Sequence, residues 1–552
     1  MKTRKQLFAI RFCATITLAA VWISGAQTQA VAQMGAPELG APEQRAAAGP
    51  SERPGVSTSP EIATSSASNA EILTELGRMR ARIQELEAQL KGQSATPAAR
   101  LEPAKLTESI SSPLSSSSAV AQEKAAAPAS SKPAEPFAFA DFTWLNGNPR
   151  TKDTPLDTKF FTGEFRWDTH YIYHYNHPSD HTLVGTSEGG RTNEFQVQHL
   201  GIGGDFHLDN VHGRVMSQIG TYSSTQPRND ATPGRGQFDL GGAYRYVSEA
   251  YGGYHIDKLH GINVDAGIFL SYIGLFSFYN FDNWAYQPSY VSSNTPWFFN
   301  GARIQIFPTD KLKVEGWLIN GWQSYGTANG RPGLGAQVNW RPNGNISIIS
   351  NSYGVGRDTV GAPHRTRWHS DDSIQIKYYD RPQNLLDKMA FSFTADIGCE
   401  SGSGVSCFGN SAAGPKQSFI GAMVYDRLWF HKDLYAVTLG GGAINNPGRY
   451  LVLLPPINGA TAFSGTPYFT ENPGDPYKAW DASATFDYLP SQYITFRWEY
   501  NHRAANVPYF SGQGGVTPPG GNTGALGSFV PGFTPDLRKR ENRLNMAILV
   551  KF

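Results

Sequence analysis

His170, His174, His177 and His181 fall within twelve residues, and imidazoles gathered this closely can hold zinc, copper or nickel. Their spacing fits no standard metal motif, so the reading assigns no metal and no cofactor. Cys399 and Cys407 enclose the run Glu-Ser-Gly-Ser-Gly-Val-Ser. In an oxidising compartment such a pair closes a disulfide in a surface loop, which stiffens the loop and does no chemistry. His369-Ser370-Asp371-Asp372 sets a base beside a hydroxyl and two acids, but a catalytic triad is an arrangement in space, not a run in sequence. The chain has no G-x-S-x-G, no H-E-x-x-H, no Walker A sequence and no G-x-G-x-x-G at a strand-to-helix turn, so no enzyme is expected.

The chemistry that remains is charge, spaced two residues apart. Tyr493 to Arg503 sets Ile494, Phe496, Trp498 and Tyr500 against Thr495, Arg497, Glu499, Asn501 and Arg503. Tyr477 to Tyr488 sets Trp480, Ala482, Ala484, Phe486 and Tyr488 against Asp481, Ser483, Thr485 and Asp487. In the last ten residues Leu544, Met546, Ile548, Val550 and Phe552 share one face. Arg543, Asn545, Ala547 and Lys551 share the other, with Leu549 as the exception. Period-2 alternation of this kind is the mark of a β-strand with two unlike faces.

Sixteen such segments are legible: about 160–175, 193–208, 213–222, 244–256, 262–270, 298–307, 311–321, 333–340, 345–355, 371–380, 387–398, 418–430, 434–444, 476–488, 493–503 and 541–552. Long and short connections alternate strictly, giving eight long loops and seven short turns. A soluble sandwich or propeller also alternates. Here, however, the polar face is charged with both signs, the apolar face ends in aromatics, and the loops are asymmetric. The expected fold is all-β, an antiparallel transmembrane barrel with long loops outside and short turns in the periplasm. Sixteen strands leave room for water inside.

On this alternation the candidate pore-lining residues are Arg166, Asp168, Arg214, Asp265, Arg303, Lys313, Glu315, Lys377, Asp481, Asp487, Arg497, Glu499 and Arg503, with Glu164 and Arg543 beside them. His170 and His174 share that face of the first strand. Charged rings tune ion selectivity, but the signs are mixed and no Lys or Arg ladder appears, so strong phosphate selectivity is not expected. For any single charge the plainer role is solvation of a wet wall. Two long loops are apolar for exposed segments: Ser271 to Trp297, with Tyr272, Phe276, Phe278, Tyr279, Phe281, Trp284, Tyr286 and Tyr290, and Asn445 to Asp475, with Leu451-Val-Leu-Leu-Pro-Pro456. Such surfaces contact something, either the barrel mouth or a neighbouring subunit.

Composition agrees with a barrel. The 552 residues carry 47 Lys and Arg against 46 Asp and Glu, which gives no basic face for nucleic acid. A mean hydropathy of −0.38 with 58 Gly argues against a helical membrane protein. Residues 1–32 read as a signal peptide: Lys2, Arg4, Lys5 and Arg11 precede the apolar run Phe12 to Ile23, and Ala30-Val31-Ala32 follows. Linkers rich in Ala, Pro and Ser are expected at 33–68 and 93–135. Between them, at 69–92, Ile72, Leu76, Met79, Ile83, Leu86 and Leu90 hold heptad spacing. This predicts a short periplasmic coiled-coil helix, too short to be stable alone, which implies sister chains.

The barrel part, 136–552, resembles the β-barrel porin-2 family, the OmpL-like outer-membrane proteins. The likeness is carried by Asp265-Ala-Gly-Ile-Phe-Leu-Ser-Tyr-Ile-Gly, Asn283-Trp-Ala-Tyr-Gln-Pro-Ser-Tyr, Asn294-Thr-Pro-Trp-Phe-Phe-Asn-Gly, Asn320-Gly-Trp-Gln-Ser-Tyr, Asn446-Pro-Gly-Arg-Tyr and the terminal strand. It implies a channel in a bacterial outer membrane for small hydrophilic solutes, recognised by the barrel-assembly machinery through Phe552. A homotrimer held by the coiled coil and the barrel wall, in outer-membrane lipid, is the expected assembly. The competing expectation is a plugged barrel serving as adhesin, cell-wall tether or lipase.

Overall fold

The computed structural model describes residues 135–552 apart from 187, 228–229, 231, 233–235, 410–413, 452–473 and 520–531, together with Ala81 and Gln84. The expected signal peptide, both linkers and the heptad helix lie outside the described residues, except that Ala81 and Gln84 are helical and exposed.

The strands are β1 (Phe161–His174), β2 (Phe195–Leu208), β3 (Val211–Ser217), β4 (Val247–Ile256), β5 (Ile262–Leu270), β6 (Phe298–Thr309), β7 (Leu312–Ile319), β8 (Gly333–Asn343), β9 (Ile346–Gly354), β10 (Thr366–Asp380), β11 (Leu386–Ser401), β12 (Ser418–Phe430), β13 (Tyr435–Asn445), β14 (Lys478–Ser491), β15 (Ile494–Ala505), β16 (Phe510–Ser511), β17 (Leu537–Arg538) and β18 (Arg540–Lys551). Each of β1 to β15 pairs with its neighbour, and β18 pairs with both β15 and β1, so sixteen strands close an antiparallel barrel. The seam is in register from Arg166↔Lys551 to His174↔Arg543. The two-residue strands β16 and β17 form a separate ribbon in the last long loop.

The wall inverts the usual order of a protein in water. Leu439, Trp480, Phe486, Trp498, Tyr500 and Ile548 point outward and are exposed, while Asp481, Thr485, Asp487, Arg497, Glu499 and Asn545 point inward and are buried. An apolar outer face is stable against hydrocarbon, and closure leaves no strand edge unpaired there.

Several boundaries differ from the sequence reading by a few residues, among them the start of β10 at Thr366 instead of 371, and two of the differences matter here. The third strand ends at Ser217 because a bulge falls at Met216/Ser217. Gly220, at φ +117°, then turns the chain into the one-turn helix Tyr222–Thr225. The eleventh strand runs on to Ser401, which places Cys399 on the strand and not in the loop.

Candidate pore and constriction

The loop joining β5 to β6 (271–297) does not stay at the rim. Trp284, Ala285, Tyr286, Tyr290 and Val291 are all nearly or fully buried inside the barrel. Backbone amides and carbonyls in such a place need partners, and the charged wall supplies them. Glu499 accepts from the backbone N–H of Tyr286 at 2.6 Å and of Gln287 at 2.9 Å. Asp481 accepts from Ser289 Oγ at 2.8 Å and Tyr290 N at 3.0 Å. Arg497 donates to the carbonyls of Asn280 and Asn283 at 3.2 and 2.6 Å, and Arg427 to that of Trp284 at 3.1 Å.

Side chains complete the attachment. Asp168 accepts from Asn280 Nδ2 at 2.9 Å and Tyr286 OH at 3.0 Å, Arg166 pairs with Asp282 at 3.1 Å, and Arg543 donates to Gln287 Oε1 at 2.9 Å. Arg503 lies 3.9 Å over the Tyr290 ring. Asp487, between Arg427 and Arg497, holds both guanidinium groups at 2.7 Å. Leu549 and Ala547 pack with Phe281 and Tyr286, so the one large apolar residue on the polar face of β18 is the loop's seat.

A second segment lies across the short-turn end. Phe137 N donates to Asp310 O at 2.7 Å, and Trp144 Nε1 to Gly344 O at 3.0 Å. Farther along, Arg150 donates to Ser491 O at 2.6 Å and also to Ile494 O, and Lys152 N to Gln492 Oε1 at 2.6 Å. The strap therefore runs from the β6/β7 and β8/β9 turns to the β14/β15 turn. It meets the loop at its middle: Trp284 N donates to Asn146 Oδ1 at 2.7 Å, and Asn146 N to Gln375 Oε1 at 2.8 Å.

The space left open lies on the other side of the loop. A cavity of about 310 Å³ runs between residues 270–278, the strap and the inner faces of β4 to β10. Among its lining groups are Arg303, Lys313 and Glu315. Asp265 stands behind Arg303 at 2.8 Å. The candidate wall residues thus divide. Arg303, Lys313 and Glu315 face this cavity, whereas Arg166, Asp168, Asp481, Asp487, Arg497, Glu499 and Arg503 are covered by, or lie against, the folded loop. Arg214 sits among Glu164, Asp205 and Glu249 at 2.7 to 3.0 Å, and Lys377 pairs with Asp380 at 2.5 Å. Sequence reasoning missed Asn146, Arg150 and Arg427; only the Trp144-Leu145 pair beside the strap's polar groups signalled burial.

The four histidines separate. His170 meets Tyr286 OH at 2.7 Å, His174 meets Glu541 at 2.9 Å, His177 meets Tyr173 OH at 3.1 Å, and His181 meets Thr192 O at 2.7 Å. Among the described residues no three His, Cys, Asp or Glu side chains converge on a metal position. Alternation also splits His369-Ser370-Asp371-Asp372: His369 and Asp371 are buried on the inner face, and Ser370 and Asp372 face outward. Cys399 and Cys407 are joined as a disulfide with Cα atoms 4.9 Å apart. In the other long loop, Tyr450 is fully buried and its hydroxyl accepts from Arg367 at 2.7 Å; most of the Leu451–Pro456 run lies outside the described residues.

The long loops also dock on one another. Asp180 accepts from Val516 N and Thr517 N, each at 2.8 Å, and from Thr517 Oγ1 at 2.7 Å. Burial pushes its carboxyl up, and these hydrogen bonds outweigh that, holding it below the usual carboxylate range.

Residues 167–531 match the family described as "Putative beta-barrel porin-2, OmpL-like". The chain belongs to this family. It is an outer-membrane porin, a closed barrel forming an aqueous channel for passive diffusion of small hydrophilic solutes. No curated protein matches the porin. Among solved structures it is similar to the outer-membrane channel DcaP of Acinetobacter baumannii, at 13% identity over 71% of this chain and 96% of that one, with a TM-score of 0.39. It is also similar to an anion-selective porin from Comamonas acidovorans, at 10% identity over 71% and 99%, TM-score 0.40. The Vibrio cholerae outer-membrane protein OmpT, in its trimer form, matches at 8% identity over 72% and 100%, TM-score 0.40. Likenesses this distant transfer nothing further to the chain.

Proposed function

We propose that the loop 271–297 is the constriction of this porin and that solutes pass on its β4 to β10 side. The observation that carries this is the way the loop crosses the barrel: residues 272–279 are held to β4, β8, β9 and β10, and its centre to the opposite wall. Its centre is held to β1, β12, β14, β15 and β18, and a charged and polar cavity of about 310 Å³ remains opposite. A polar wall replaces part of a solute's hydration shell, and the loop sets the size limit. The cavity beside the loop favours an open channel over a barrel plugged for adhesion or tethering.

We also propose that the barrel wall carries self-association. Asp372 faces outward from the middle of β10, and its carboxylate accepts from Ser350 Oγ at 2.5 Å and Ser370 Oγ at 3.2 Å. Ala336, Ser352 and Ala395 are exposed around it. A charged side chain facing hydrocarbon is destabilising, most of all near mid-depth, though a carboxylate less so than Lys or Arg. A second subunit covering this patch of small residues removes that cost. Trimers joined here, with help from the heptad segment, are the assembly we infer.

The test of the channel is conductance of the full mature protein in a planar lipid bilayer. Discrete steps that scale with salt, in groups of three for a trimer, are expected. A barrel that inserts and never conducts overturns the proposal.

A further inference from the structure

The cavity's charges are almost all neutralised within it. Arg303 pairs with Asp265 at 2.8 Å, Lys313 with Glu315 at 2.6 Å, and Glu249 with Arg214 at 3.0 Å. Arg341, on the inner face of β8 near the short-turn end, is the exception. Among the described residues it has no carboxylate partner, and its buried Nε has no acceptor. The strap fixes it in place: the Phe137 and Phe142 rings lie 4.5 and 4.6 Å from the guanidinium carbon. Aromatic contacts of this kind engage the face of a guanidinium and leave its N–H edge free.

Two neighbours are also unsatisfied. Ser347 is 1% exposed and Asn339 is 6% exposed; both line the cavity, and Ser347 Oγ and Asn339 Oδ1 have no hydrogen-bond partner. Asn339 stands directly across from Lys313, and Ser347 from Gln375, the residue that also grips the strap. Orphaned buried polar atoms are costly; the Ser347 hydroxyl can donate to an anion beside the uncommitted guanidinium, whereas Asn339 Oδ1 can only accept. A fork of N–H donors with a hydroxyl beside it is complementary to a planar oxyanion.

We propose that the inner end of the channel is a subsite for small carboxylate-bearing solutes, with the Arg341 guanidinium holding the carboxylate and Ser347 donating beside it. This rests on solutes using the cavity opposite the constriction loop. The strap completes the subsite: Phe137 and Phe142 cover the guanidinium, and Asn146 and Asn148 line the cavity beside it.

The test uses full-length mature porin in a planar bilayer, with sodium benzoate added on the short-turn side. Benzoate is expected to interrupt the wild-type current in a concentration-dependent way. Arg341→Gln is expected to raise the half-blocking concentration by about tenfold or more, the loss of one charge-assisted bidentate pair. Arg341→Lys keeps the charge without the fork. It should leave the reversal potential in a salt gradient nearly unchanged and still lose most of the benzoate block. Equal benzoate block in wild type and Arg341→Gln overturns the subsite while leaving the porin intact, as does a conducting wild type that benzoate never blocks. Inorganic phosphate blocking as tightly as benzoate through Arg341 overturns the assignment to carboxylates. Should the wild type not conduct, the channel reading fails separately. The subsite is then read from benzoate protection against heat unfolding, expected in wild type and absent in Arg341→Gln; equal protection overturns it.

Discussion

Leu549 breaks the alternation of the last strand, and the break has a cause: it is fully buried against Phe281 and Tyr286 of the loop. Leu549→Ala should lower stability by about 2–5 kcal/mol through the cavity it leaves, read as a shift of the urea midpoint for barrels in vesicles. Asp180 gives a pH prediction. Its folded carboxyl titrates below the ordinary range, so its contribution is full above an unfolded pKa of about 3.9 and is lost as pH falls through the folded value. Asp180→Asn should expose the first and last long loops to proteases at neutral pH. Wild type should become equally sensitive to pepsin only below about pH 4, and a variant as resistant as wild type at neutral pH refutes the point. The face on which Arg497 or Glu499 lies was legible from period 2. What covers it was not, because Tyr286 N and Glu499 are 213 positions apart and no local pattern couples them.

At the scale of elements, strands were the most legible feature, since each had to keep an apolar row toward lipid. Boundaries slipped where a bulge or glycine intervened, as at Met216/Ser217, and where β11 carried Cys399 beyond the expected turn. The aromatic content of 271–297 marked it as a contact surface, but the choice between barrel mouth and neighbour needed coordinates. The strap's path was not legible: the aromatics of 137–145 marked burial, but not that Arg150 would reach the β14/β15 turn, 341 positions away. The loop's anchoring yields a prediction. Asp481→Ala with Glu499→Ala leaves four buried donors of the loop without their acceptors. The double variant should therefore open the constriction, with larger single-channel steps and faster liposome swelling in larger sugars. Unchanged steps would show that the loop does not set the bore.

For the whole molecule, closure into a sixteen-stranded barrel followed from the even count and the strict alternation of long and short connections. The outward patch at Asp372 was not foreseen, because its neighbours Ser350 and Ala395 come from other strands. Asp372→Leu makes the patch indistinguishable from lipid-facing wall. It should weaken subunit association, seen as a lower cross-linking yield in detergent, without altering the conductance of single barrels. The inward loop has one more consequence, in the entropy of the chain. The seam joins His174 to Glu541 across 367 positions, whereas the loop reaches β1 across 116 and β18 across 256. The entropy of closing a loop rises only with the logarithm of its length, but two intermediate contacts divide one long search into shorter ones. Held to both β1 and β18, the loop bridges the seam, so the segment proposed to narrow the pore also shortens the closure of the cylinder.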